Sequence, residues 1–295
     1  MIIDIHNHAE YHGYSAEKML QNMDENNIDL CCLMSWECPL NEYDPATKRA
    51  FSPLSEAPIL FERCLAYKEK FPGRFLLCYA PDPRLPDSIS RLQAAINLYD
   101  ICMYGEMKLR MMYDNPDAVR MYRFCGENGL PVLMHFDYEL GGGSYPWPNY
   151  WYGGGIDALE RVLALCPETN FIGHAPGFWA HISNDELYKS EAYPKGPVVP
   201  GGKIEILLEK YPNLYCDISA GSGHNALSRD VENASRFLQT WQSRVLFGRD
   251  YYDGIHQELL SSLDLPAETL DNIYCQNARR ILRNGEKIQV AARNL

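Results

Sequence analysis

The sequence predicts an α/β protein built as a single (β/α)8 TIM barrel, one domain over residues 1–295 with long loops on the C-terminal face of its strands. Three observations predict it. Short apolar runs recur eight times, a helix-like segment separates each pair, and 295 residues is the right length for eight such units in one core. A doubly wound open sheet is the structural alternative. It does not need eight units, and no glycine-rich dinucleotide fingerprint follows the first run.

The strand-like runs are MIIDIH (1–6), IDLCCLMS (28–35), RFLLCYA (74–80), MYGEMKL (103–109), PVLMHF (131–136), NFIGHA (170–175), NLYCDIS (213–219) and RVLFGRD (244–250). Most are rich in Ile, Val, Leu, Tyr or Phe and lack strict alternation, which is the pattern of strands buried on both faces. Helical spacing of apolar residues marks 15–27, 116–129, 155–167, 203–212 and 226–241, and Gly or Pro often closes the segment before the next strand. Asn225 or Ser228 is the expected start of the 226–241 helix. GIHQELLSSL and PAETLDNIYCQNARRIL supply closing helices over about 254–283.

Composition bounds the function. Twenty-seven basic and 39 acidic side chains leave a formal charge of -12. Such a surface repels phosphate backbones, so a nucleic-acid grip is not expected. Ten cysteines fall mostly inside apolar runs with no CxxC, as free core thiols of a reducing compartment do. The chain shows neither a signal peptide nor a membrane-length apolar run, so a cytoplasmic protein acting on a small molecule, with no membrane partner, is expected.

The chemistry gathers at the strand ends. His6 and His8 stand two apart and so share one face of the first strand. Glu106, His135, His174 and Asp250 sit at the ends of the fourth, fifth, sixth and eighth strands. A single histidine closing a strand is usually a hydrogen-bonded structural residue. Four histidines and two carboxylates at equivalent strand ends, in a chain with only eight histidines, point to a metal site. Imidazole nitrogen and carboxylate oxygen suit Zn2+, with Mn2+, Fe2+ or Co2+ as alternatives. A bound ion would lower the pKa of water from about 16 toward roughly 7. Asp250 is placed to act as ligand and proton acceptor.

This ordered set resembles the amidohydrolase superfamily, whose barrels carry HxH on strand one, Lys or Glu on strand four, His on strands five and six, and Asp on strand eight. DIHNH, YGEMKL, PVLMHFD, FIGHAPG, NLYCDIS, LFGRD and IYCQNARRIL are similar to the amidohydrolase-related group in particular. That group holds decarboxylases related to aminocarboxymuconate-semialdehyde decarboxylase and lactonases acting on cyclic dicarboxylates. The resemblance implies one metal on His6, His8, His135 and Asp250, with His174 orienting or deprotonating the water. Glu106 departs from the simplest mononuclear pattern and is similar to the bridging glutamate of phosphotriesterase-like enzymes. In that version it joins two ions, with His135 and His174 holding the second.

The expected activity is hydrolysis of an amide, ester or lactone in a small carboxylate-bearing substrate. Non-oxidative decarboxylation, binuclear phosphoester hydrolysis and a non-catalytic metal-binding barrel are the alternatives. Arg110 is a candidate for a substrate carboxylate; Arg249, next to Asp250, reads at least as well as a structural ion pair. In YELGGGSYPWPNYWYGGG (138–155), six glycines bracket an aromatic cluster that includes Tyr138, Trp147 and Trp151. It suits a pocket lid, with a homodimer contact as its other use. Trp179, with Phe178 and His181, is expected in the pocket wall, and His224 within reach of substrate. His12 and His256 are weaker candidates.

Overall fold

The computed structural model describes residues 1–39, 42, 59–137 and 152–288. Eight parallel strands appear where the apolar runs predict them. They are β1 (Ile3–Asn7), β2 (Leu30–Met34), β3 (Phe75–Cys78), β4 (Tyr104–Met107), β5 (Val132–His135), β6 (Phe171–His174), β7 (Leu214–Asp217) and β8 (Val245–Leu246). Ladder bonds run in the order β1-β2-β3 and β4-β5-β6-β7-β8. A bridge between Cys78 and Met103 joins β3 to β4. Ile5 N–H donates to Phe247 C=O at 3.0 Å, which brings β8 back to β1 and closes the barrel.

Helices cover the outside. They are α1 (Ala16–Glu25), α2 (Phe61–Lys70), α3 (Ser88–Tyr99), α4 (Pro116–Glu127), α5 (Ile156–Leu165), α6 (Pro176–Trp179) and α7 (Lys203–Lys210), then α8 (Ala220–Ser228), α9 (Val231–Thr240) and α10 (Ile255–Ser262). Local chemistry starts them. Ser15 accepts from the Lys18 N–H ahead of α1, and Asn115 accepts from the Asp117 N–H with Pro116 in the first turn of α4. The expected 226–241 helix is instead two helices. Asp230 accepts from the Asn233 N–H and begins α9 afresh, while α8 starts six residues before Ala226, directly after Ser219.

Two buried clusters follow from this layering. One packs helix faces such as Met19, Met23, Leu159 and Phe237 onto the outside of the strands. The other collects residues from seven of the strands and from Cys102 and Met103 just before β4, among them Ile5, Met34, Leu133, Ile172, Tyr215 and Leu246, and fills the barrel interior. After α11 (Ala267–Asp271), α12 (Asn277–Ile281) closes its far end and, with the residue that follows it, delivers Ala278, Ile281 and Leu282. Asn277, fully buried, donates to the C=O groups of Gln242 at 2.7 Å and Val245 at 2.6 Å, so the closing helix is tied to β8.

A buried ion pair holds the seam between β1 and β8. Asp4 accepts from Arg249 Nε at 2.8 Å and from the Arg249 backbone N–H at 3.0 Å, and both residues are fully buried. Arg249 Nη1 also donates to Asn22 Oδ1 on α1. Arg249 is therefore the structural ion pair and turns away from Asp250. Removing one partner strands a buried charge. Asp4→Asn should lower unfolding free energy by about 3–5 kcal/mol in denaturant titration.

His181, buried against Tyr188 after α6, adds a pH dependence. Burial pushes its imidazole down from 6.5 to about 4, against a weaker opposing pull from Asp157. The unfolded chain then binds the proton first as pH falls. The stability is complete above about pH 6.5 and is lost between there and about pH 4, to the extent of about 3 kcal/mol. Wild type should lose about that much more unfolding free energy than His181→Gln between pH 7 and pH 4.

Candidate metal centre

The strand ends of β1, β4, β6 and β8 bring five side chains, His6, His8, Glu106, His174 and Asp250, to one point. His6 Nε2 lies 3.7 Å from Asp250 Oδ1 and 4.0 Å from Glu106 Oε1. His8 Nε2 lies 3.5 Å from Asp250 Oδ1 and 3.3 Å from Glu106 Oε2. His174 Nε2 stands 3.7 Å from Asp250 Oδ2 and 3.9 Å from Glu106 Oε1. Two triads have the mutual spacing a metal ion needs, His6–His8–Asp250 and His6–Glu106–His174.

Each histidine is aimed from behind. His6 Nδ1 is 2.7 Å from Asp217 Oδ2, and His8 Nδ1 is 3.1 Å from Met34 C=O. His174 Nδ1 is 3.2 Å from Asp217 Oδ2 and 3.1 Å from Ser219 Oγ. Proton donation through Nδ1 leaves the Nε2 lone pair pointing at the centre, the arrangement by which a carboxylate orients a ligating histidine. Gly248 makes the approach possible. A Cβ there would meet Asp217 Oδ1 at 2.7 Å and His6 Cβ at 3.1 Å. Asp250 sits at φ 47, its N–H bonded to His6 C=O at 2.8 Å, which turns its carboxylate back over β1.

The atoms that converge are the ones left without partners. His6 Nε2, His8 Nε2 and Asp250 Oδ1 are buried and make no hydrogen bond. Burying such groups unpaired costs roughly 1–3 kcal/mol each, so the set fits a cation. The charges agree. Burial opposes a charge on His6, but Asp250, Asp217 and Glu106 outweigh it and raise its pKa to about 10. For Glu106 burial works against ionisation, and His135 and Lys108 overcome it and hold the carboxyl well below its usual range. Burial and the neighbouring His6 push His174 down. The centre is a carboxylate-rich pocket that calls for positive charge.

A cavity of about 360 Å³ opens over these residues, lined by His135, His174, Asp250, Lys108, Tyr193 and His256 among others. Lys108 is the residue that the sequence reading missed. It is 2% exposed, its ammonium 4.9 Å over the Trp36 ring and 5.4 Å over that of Tyr152. Burial disfavours its charge, but Glu106 more than compensates and raises its pKa. The signal was present, because Lys108 follows Glu106 by two residues as His8 follows His6. Asp217 was visible only as part of a strand, since nothing local marks a carboxylate that faces a histidine 211 residues away.

Other expected site residues lie differently. His135 reaches the centre, but its Nδ1 is 2.6 Å from Glu106 Oε1 and its Nε2 2.7 Å from Asp137 Oδ2. Both ring nitrogens are engaged by carboxylates, so it stands beside the converging set. Trp179 is buried at 1% exposure, stacks edge-on to Phe178 and Phe237, and donates to Asp217 C=O at 2.8 Å. It anchors the strand that carries Asp217 and is not part of the cavity wall. Arg110 is half-buried, with its backbone N–H on Glu42. His224 is half-buried on α8 with its ring against His256. Neither lines the cavity among the described residues, whereas His256, expected only as a helix residue, does. His12 is exposed, its ring against Tyr11 and Tyr251. Tyr138, Trp147 and Trp151 lie outside the described residues.

Asp217 gives a direct test. Asp217→Asn removes the charge behind His6 and His174 without changing shape. Metal affinity by chelator competition should fall about 10–100-fold with folding retained.

Comparisons with known proteins agree with this architecture. No curated protein matches the chain. Among solved structures it is similar to an uncharacterized TIM-barrel protein from Bordetella bronchiseptica, at TM-score 0.61 and 18% identity over 95% of this chain and 97% of that one. It is similar to a 2,6-dihydroxybenzoate decarboxylase from Rhizobium at TM-score 0.56 and 15% identity, over 95% and 98%. It also resembles a probable 2-pyrone-4,6-dicarboxylic acid hydrolase from Acinetobacter baumannii, at TM-score 0.58 and 11% identity over 95% and 98%. These likenesses establish the shared (β/α)8 barrel. The profile of the family described as Amidohydrolase matches residues 61–283, and with strand ends that gather side chains fit to hold a metal, the chain belongs to the amidohydrolase family.

Proposed function

We infer that this protein is a metal-dependent hydrolase that opens an amide, ester or lactone bond in a small, carboxylate-bearing substrate. The observation that carries the reading is the meeting of His6 Nε2, His8 Nε2 and Asp250 Oδ1, buried and unpartnered, beneath a cavity that Lys108 also lines. His6, His8 and Asp250 would hold the ion, with His174 or Glu106 completing the set. Nitrogen and oxygen donors suit Zn2+, and Mn2+, Fe2+ and Co2+ belong to the same donor chemistry. When bound, such an ion supplies Lewis acidity for a water and for the substrate's acyl oxygen.

The chain's own residues do the rest. Asp217 keeps His6 and His174 in the orientation that presents Nε2. The Asp250 carboxylate accepts a proton from the attacking water and returns it to the leaving group. Lys108 offers its ammonium to the substrate carboxylate, and Tyr193 and Tyr251 supply apolar wall to the same cavity. One ion is favoured over two. A second ion would need His135, and both of its ring nitrogens are engaged by carboxylates, Nδ1 by Glu106 and Nε2 by Asp137.

Non-oxidative decarboxylation is the second reading. It is favoured by the whole-length fold likeness to the Rhizobium 2,6-dihydroxybenzoate decarboxylase. The same residues would serve, with the proton delivered to the carbon that carried the carboxylate. A phosphoester substrate has less support, given a formal charge of -12 and a His135 whose two ring nitrogens are engaged by carboxylates.

The metal-loaded protein should be assayed on lactones, amides and aromatic carboxylates, with hydrolysis and carbon dioxide release read separately. Asp250→Asn should lower kcat by about 10²–10⁴-fold with folding intact. Lys108→Met should raise KM by about 10–100-fold, the loss of one charge-assisted contact. Wild-type turnover in both His6→Ala and Asp250→Asn would overturn the reading.

A further inference from the structure

A second set of ligand-type side chains meets inside the barrel, away from the histidines. Cys32 on β2, Cys78 at the end of β3 and Cys102 just before β4 each bring a sulfur within 4.8 Å of the other two. Cys78 Sγ and Cys102 Sγ are 3.7 Å apart. All three are free, buried thiols in the interior cluster that α12 closes. Neither the hydrolytic reading nor the decarboxylase reading uses them.

The cluster has an approach and compensating charge. A separate cavity of about 210 Å³ reaches Cys102 and is lined by Lys68, Arg283 and Lys287. Lys287 is exposed, so this cavity opens at the surface. The Arg283 N–H donates to Cys102 C=O at 3.0 Å, which fixes the closing turn over the thiol. Asp100, the acidic residue of this lining, is already held by Arg283 Nη1 at 3.0 Å and Asn284 Nδ2 at 2.8 Å. Cys102 is the thiol on this lining, and Cys32 and Cys78 lie beside it.

We propose that Cys32, Cys78 and Cys102 form a three-sulfur site for a soft monovalent ion of the Cu(I) class, entered through the basic cavity of Lys68, Arg283 and Lys287. Soft thiolates select soft ions, and Cu(I) accepts a sulfur-only set. Structural Zn2+ almost always takes four ligands, and the set of mutually spaced donors here holds three. Hydrogen bonds from Cys32 and Cys78 hold the Cys102 thiol below its usual range. Uptake of Cu(I) by all three sulfurs as thiolates displaces their protons to solvent and leaves a net charge of minus two, with the cations of the cavity facing it. The step is ligand exchange only; no electron is transferred.

The reduced protein should be loaded anaerobically from a buffered Cu(I)–chelator solution and read by copper retention and X-ray absorption. The expected result is one equivalent of tightly held copper per chain with a shell of three sulfurs. Retention should fall at least about 100-fold in Cys102→Ser, and remain in Cys166→Ser and in His8→Ala, which separates this site from the histidine centre. A nitrogen or oxygen shell in the wild-type protein overturns the proposal without any variant. Unchanged sulfur ligation in a folded Cys102→Ser protein overturns it as well.

Discussion

The seam between β1 and β8 is the constraint on which the site depends. The barrel closes there through few backbone bonds, and β8 itself is only Val245–Leu246. Asp4 and Arg249 carry the join, because a carboxylate and a guanidinium buried together must satisfy each other. Closing the seam puts Asp250 over β1, with its N–H on His6 C=O and its carboxylate facing His6 and His8. Arg249 and Asp250 are adjacent, and while Arg249 closes the barrel through Asp4, Asp250 turns its carboxylate to His6 and His8.

Electrostatics then shapes everything above the seam. Glu106, Asp217 and Asp137, all buried, and the partly exposed Asp250 lie among the buried His6, His8, His135 and His174. Lys108 supplies one positive charge; the carboxylates around His6 raise its pKa against burial, whereas burial and the neighbouring His6 lower that of His174. The backs of His6 and His174 share Asp217, while His135 is held between Glu106 and Asp137. The first two rings thus present Nε2 to the centre and the third does not. A pocket built this way fits a cation, and Lys108 lines the cavity above it.

Much of this was legible in the chain. The eight strands fall inside the apolar runs that predict them, since a strand buried on both faces must be apolar along its length. The sequence could group His6, His8, Glu106, His174 and Asp250 because a barrel's strand ends all open on one face, and the structure brings them together. The break of the 226–241 helix at Asp230 was not found. The apolar spacing runs on across it, and only the cap hydrogen bond reveals the restart. Trp179 was misjudged for a related reason. An aromatic residue beside a site residue can face either way, and here the Asp217 carbonyl took its N–H.

By itself the sequence determined the fold class, the strand order and which residue types meet at the mouth, because these follow from hydrophobic pattern and from the alternation of side chains along a strand. Tertiary structure alone decided which nitrogen each histidine presents, that Asp217 and Lys108 belong to the site, and that Cys32, Cys78 and Cys102 share one point. Those outcomes depend on contacts between residues tens to hundreds of positions apart, at distances of a few ångströms. Local pattern carries no record of such distances, and burial makes every one of them count.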